Sequence, residues 1–142
     1  MDDQAGEKIG LITRRQMEIL RLRKSGLSLG EIAASLGTTR QNISILERRA
    51  YTKIQQAAET IAAIQESGVA VSVTIKGGTH LLDALKNVIA AADRSRIRLK
   101  GNMVDLLSWL RNVLGSKIVS GTLTEDCTVI ILESGRCILG PD

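Results

Sequence analysis

The 142-residue sequence predicts an α+β protein of two domains: an N-terminal all-helical domain with a long third helix, then a small α/β domain in the order β-α-β-α-β-β-β. Three observations lead there. Apolar residues recur at helical intervals as far as Gln65 and then switch to alternation. Three capping-box pairs precede that switch and mark helix starts. Positive charge gathers in the first part: between Lys8 and Lys53 ten Lys and Arg face three Glu, a local balance of +7 against +4 for the whole chain. The domains are placed at residues 1–66 and 67–142, and 44% apolar residues suffice for packed cores.

Thr13 with Gln16, Ser28 with Glu31 and Thr38 with Gln41 each have the S/T-x-x-E/Q form, in which two side chains satisfy orphan backbone donors at a helix start. The first helix is expected over residues 14–25, stopped by Gly26, with Met17, Leu20 and Ile19 laid against Leu27, Ile32 and Leu46. The stretch LGEIAASLGTTRQNISIL, residues 29–46, then puts Ile32 and Leu36 four apart on a second helix and Ile43 and Leu46 three apart on a third. Ala33 is small where the helices pass closest, and Gly37 supplies the left-handed turn between them. The pattern resembles a helix-turn-helix, whose second helix enters the DNA major groove.

The third helix does not stop at the motif. Ala50, Ile54, Ala57, Ile61 and Ile64 extend one stripe, so the helix is expected over residues 39–65, roughly 40 Å at 1.5 Å per residue. Two accounts fit the stripe: it zips against a second copy of the chain, or it packs on its own chain. A homodimer is favoured, because DNA readers of this type commonly pair their half-sites.

Ser67 and Gly68 end that helix. Val69, Val71, Val73 and Ile75 alternate with smaller or polar residues, the pattern of a half-buried strand. Gly77 and Gly78 follow, then a helix over residues 81–92 capped by Thr79, and a short strand at residues 97–99. Asn102 caps a helix whose Met103, Leu106, Leu110 and Val113 share a stripe beside Trp109, ended by Gly115. Strands are expected at residues 118–123, 128–132 and 136–139, the first strands of the domain joined by helical crossovers and the last three forming an antiparallel meander. A two-residue loop at Ser134 and Gly135 would set Cys137 opposite Leu132 and leave Cys127 too distant for a disulfide.

Several function classes are disfavoured. No apolar run reaches the ~20 residues of a membrane span, and the polar start MDDQAGEK lacks the apolar core of a signal peptide, so a cytoplasmic protein is expected. Two cysteines and the lone His80 form no closed metal-ligand spacing; no metal, cofactor or catalytic residue is assigned. An enzymatic or ligand-binding α/β domain and a purely architectural nucleic-acid binder stand as alternatives. Two features could serve an anionic effector on the second domain: the glycine pair within residues 76–79, and Arg94, Arg96, Arg98 and Lys100, which would share one strand face. A tight turn and a solvated edge are the plainer readings.

TTRQNISILERRAYTKI, residues 38–54, resembles the recognition helix of the sigma-factor region-4 type, in which an R-E-x-V pattern precedes an I-E-x-R-A run. Together with LITRRQMEILRLRKSGLSLGEIAASLG before it and an α/β tail of this length behind, the chain is similar to the archaeal Tfx-type DNA-binding transcriptional regulators. That resemblance implies double-stranded DNA as partner and contact of the second domain with the transcription machinery. On a helix starting near Thr39, the residues placed to reach base edges are Thr39, Arg40, Gln41, Ser44 and Ile45. Thr38, Arg14, Arg15, Arg48, Arg49 and Lys53 suit phosphates, and Glu47 is expected to brace a neighbouring arginine. Gln41 and Asn42 stand where the sigma-like pattern has acidic and basic residues, and Ser44 replaces a basic one, so the DNA target should differ.

Overall fold

The computed structural model describes residues 7–141, in two units that divide within one long helix, between Glu59 and Thr60. The first unit opens with an antiparallel hairpin of β1 (Lys8–Ile9) and β2 (Ile12–Thr13). Then follow α1 (Arg14–Lys24), α2 (Leu29–Leu36) and α3 (Arg40–Ser67). Thr13–Gln16 and Ser28–Glu31 form complete capping boxes.

The third start lies one residue later than predicted. Thr39, not Thr38, is the cap: its hydroxyl accepts from Asn42 N–H at 3.1 Å and its carbonyl from Ile43 N–H at 3.1 Å. Thr38 is used in closing α2, where Gly37 is left-handed (φ 70°) and the Thr38 N–H reaches back to the Ala33 carbonyl at 3.0 Å. With its N–H committed to Ala33, Thr38 cannot donate to the Gln41 side chain as a capping box requires.

Ile19, Ile32, Ala33, Ile43 and Leu46 are buried together, flanked by Leu22, Leu27, Leu29 and Leu36. Met17 and Leu20 are only half-buried, against the sequence expectation. Gln16 and Ile19 are buried and Leu22 packs on the core, so the inward row of α1 runs through positions spaced by threes. Ala50 is buried too, but Ile54, the next residue of the predicted stripe, is 44% exposed.

The second unit contains β3 (Ala70–Ile75), α4 (Leu81–Arg94), α5 (Met103–Leu114) and a 3-10 turn at Gly115–Lys117. Four strands follow: β4 (Ile118–Val119), β5 (Thr122–Leu123), β6 (Cys127–Leu132) and β7 (Cys137–Leu139). The α+β class holds, while the strand plan needs correction. The main sheet is β3-β6-β7, antiparallel throughout, with β6 central and Ala70 to Ile75 paired with Leu132 to Cys127. No parallel crossover is needed.

Residues 97–99 form no strand. Arg96 is left-handed (φ 58°) and the Ile97 N–H bonds the Ala92 carbonyl at 2.9 Å, so the segment folds back to close α4. Arg94, Arg96, Arg98 and Lys100 therefore share no strand face. The predicted strand at 118–123 is a hairpin instead, turned by Ser120 (φ 52°) and Gly121 (φ 78°), consecutive positive values of the kind favoured by tight two-residue loops.

The β6–β7 loop has three residues, not two. The Leu132 N–H donates to the Arg136 carbonyl at 2.9 Å and the Leu132 carbonyl accepts from the Gly135 N–H at 2.9 Å, with Gly135 at φ 89°, so Cys137 sits opposite Ile131 and not Leu132. Cys127 and Cys137 form no disulfide, and burial pushes the Cys137 thiol up, favouring its neutral form. His80 rather than Thr79 caps α4, its Nδ1 accepting from Leu82 N–H at 3.2 Å. The glycine pair is a closed turn: Gly77 N–H donates to the Asp126 carboxylate at 2.8 Å, the place an anion would take.

Ile75, Val129 and Ile131 meet Leu81, Leu85, Val88, Leu106, Leu110 and Leu114 in the domain core. Met103, predicted on the inner stripe of α5, is 58% exposed, and Leu114 is buried in place of Val113. Ile130, on the opposite sheet face, is also fully buried.

Candidate nucleic-acid interface

Because Ile43, Leu46 and Ala50 are fully or almost fully buried, α3 presents the opposite side of its first turns outward. Thr39, Arg40, Gln41, Arg48 and Arg49 are exposed, Ile45 is 40% exposed and Ser44 half-buried. Arg40, Ser44 and Arg48 lie one turn apart in sequence, as do Gln41, Ile45 and Arg49, so two adjacent rows share this face. Gln41 is spared from capping by the shifted helix start, which leaves its amide on the surface.

The remaining candidates are engaged within the unit. Arg14 pairs with Glu7, and Arg15 lies 3.5 Å from Glu18. Exposed pairs of this kind are worth little and are readily exchanged for phosphate. Thr38 accepts a bond from the Asn42 side chain at 3.1 Å. Lys53 donates to Gln16 Oε1 at 3.3 Å and is half-buried, so it is held back from the exposed turns.

Glu47 braces an arginine from another helix: Arg23 Nε donates to its carboxylate at 2.8 Å, while Arg23 Nη1 donates to the Leu27 carbonyl at 3.2 Å. That pair ties α1 to α3. Sequence reading missed it because the partners are 24 residues apart. It also missed Gln16 as a buried bracket between Thr13 and Lys53, and the β1–β2 hairpin, whose Ile9 and Leu11 are more than half exposed. The capping-box spacing shows Gln16; only packing shows Lys53 beside it.

Residues 9–56 match sigma-70 region 4, and residues 57–139 match the family described as the C-terminal part of the DNA-binding protein TFX. The chain belongs to the Tfx family of DNA-binding proteins. It is 34% identical to a candidate transcriptional regulatory protein of Methanocaldococcus jannaschii over 91% of this chain and 94% of the relative. A second such protein, from Haloarcula marismortui, is 30% identical over 88% of this chain and 79% of its own length. The DNA-binding protein Tfx of Methanothermobacter thermautotrophicus is 26% identical over 90% and 93%. This Tfx-family chain carries no helix, among its described residues, long and apolar enough to cross a membrane. Nor do three His, Cys, Asp or Glu among those residues gather as a metal site.

Proposed function

We propose that this Tfx-family protein is a sequence-reading transcriptional regulator of the cytoplasm that inserts the first turns of α3 into the DNA major groove. One observation carries the reading: the rows of Arg40, Gln41, Ser44, Ile45 and Arg48 face outward, electropositive, over a fully buried Ile43. Arg40 is assigned to base edges, where a guanidinium gives two bonds to guanine. Arg48 and Arg49, two turns further along, are assigned to phosphates together with Arg14 and Arg15, and Lys53 steadies the helix through Gln16.

The region after residue 66 is assigned to regulation and to contact with the transcription machinery, and the chain is proposed to act as a homodimer on paired half-sites. The apolar Ile54, exposed on α3, supports self-association. Neither residues 76–79 nor Arg94, Arg96 and Arg98 are put forward as an effector site, since the first is closed by Asp126 and the second lie on no common strand.

The test is selection of bound oligonucleotides at physiological salt, followed by titration of two variants. Arg40→Ala should weaken the selected site by about 1–3 kcal/mol and barely affect random DNA. Arg48→Ala should weaken both alike and reduce the salt slope by about 1. Equal losses on both DNAs for both variants would refute this division. A consensus with two-fold symmetry and a dimer mass in solution, lost in Ile54→Lys, is expected for the homodimer; a monomer on a single half-site would remove it.

A further inference from the structure

The C-terminal domain contains an open cavity of about 500 Å³ that the DNA-reading proposal does not use. Two glycines build it. Gly135, in the β6–β7 loop, has φ 89°, and a Cβ there would lie 2.1 Å from the Arg98 carbonyl oxygen; its own carbonyl accepts the Lys100 N–H at 3.0 Å. The segment after α4 thus lies directly on the loop. Gly101, with φ 88°, brings the same segment against Asp105 on α5, where a Cβ would stand 2.9 Å from the Asp105 Cβ.

The walls between these contacts are apolar: Leu106 and Trp109 from α5, and Leu132, Cys137 and Ile138 from the sheet. Lys100 and Arg136 stand on the lining, and neither side chain has an acidic partner among the described residues. The one carboxylate present, Asp105, is engaged by the Asn102 N–H at 2.9 Å in the capping box of α5. The cavity is therefore apolar within, positive at its edge, and of the size typical of small-molecule sites.

We infer that this cavity is a binding site for a small organic anion with a flat apolar body, its rings against Leu106 and Trp109 and its charged group held by Arg136 and Lys100. A planar guanidinium suits a carboxylate or sulfonate because two parallel N–H groups match two oxygens. Every residue invoked belongs to the C-terminal unit, so the inference stands apart from the reading of α3.

Trp109 is the single tryptophan of the chain and lines the cavity, so its emission responds to a compound bound there. The full chain is titrated with 1-anilinonaphthalene-8-sulfonate, and separately with N-phenyl-1-naphthylamine, which has the same rings and no charge. Saturable quenching of Trp109 by the sulfonate at one site per chain is expected, with the neutral compound weaker by about tenfold or more. The double substitution Lys100→Ala with Arg136→Ala should cost the sulfonate about the same factor and leave the neutral compound unchanged. Lys86→Ala, at an exposed position of α4 outside the cavity, should change neither. Non-saturating quenching, equal affinity for the two probes on the wild-type chain, or undiminished sulfonate affinity in the double variant would overturn the assignment.

Discussion

The helical unit closes on five buried apolar side chains drawn from residues 19–46, whereas the C-terminal unit closes on fourteen, joining Ile75 to Cys127, Val129 and Ile131 across some fifty intervening residues. The first is organised by neighbours: capping boxes, a left-handed glycine and short turns set each helix before packing begins. The second is organised by register, because β3 finds its partner in β6 only after two helices have been laid down. A thin, locally specified core suffices to pack three helices with one face of α3 left outward. The larger core supports a sheet, a second layer of helices and a cavity.

This contrast is broken most directly by truncating one buried residue. Ile32→Ala should cost about 2–5 kcal/mol, a large share of what so small a core contributes. Urea unfolding followed by far-ultraviolet dichroism should then show helix loss preceding the Trp109 fluorescence change, since the tryptophan belongs to the other unit. If both signals move together, the two units unfold as one and the contrast in their stability fails.

Two left-handed glycines sharpen the same comparison. At Gly37 a Cβ meets nothing within 4 Å, so Gly37→Ala should cost only the left-handed strain of about 1–2 kcal/mol. At Gly135 the Arg98 carbonyl occupies the space, so Gly135→Ala should add about 1–3 kcal/mol of overpacking. Thermal melts of the two variants, with Gly135→Ala the lower, check this order.

A smaller effect tests where α3 begins. Thr39→Ala should lose about 0.5–2 kcal/mol with the Asn42 N–H left uncapped, and Thr38→Ala less, since Thr38 accepts only from a side chain. The reverse order in chemical denaturation would return the cap to Thr38.

The smallest effects are in acid. The Ser28 N–H and hydroxyl hold the Glu31 carboxyl below its ordinary 4.5, and the Gly77 N–H, with Lys76 nearby, holds Asp126 below 3.8. Because each is lowered on folding, each contribution is present above the unfolded value and is lost as pH falls through the folded one. Glu31→Gln should therefore flatten the acid limb of stability of the helical unit below about pH 4.5, and Asp126→Asn that of the C-terminal unit below about pH 3.8. Unchanged slopes would show that these bonds do not persist in solution.

Much of the helical unit was legible because its signals are local. Thr13 with Gln16, Ser28 with Glu31, and Asn102 further on, cap where the spacing says they should. The outward row beginning at Arg40 follows from the inward positions of Ile43 and Leu46. Misreadings arose where closure of the preceding helix overrode a local side-chain signal. Thr38 has a capping hydroxyl, but its N–H closes the previous helix; Ile97 and Leu99 alternate like a strand, but their chain is turned back by Arg96. Ser120 and Gly121 were a readable turn signal hidden inside an apolar run. The ion pair of Arg23 with Glu47 had no signal in sequence, since nothing short of the fold brings them together.

By itself the sequence determined the number and starts of the N-terminal helices to within one residue, the face α3 turns outward, and the change from helical to alternating patterning after Gly68. Those properties depend on side chains three or four residues apart, whose geometry is set once the helix forms. The tertiary structure alone decided that β6 lies between β3 and β7, that Cys137 faces Ile131, and that Lys100 and Arg136 border one cavity. Strand pairing joins residues that are distant in the chain, and an alternating pattern specifies which side of a strand is buried without naming the strand beside it.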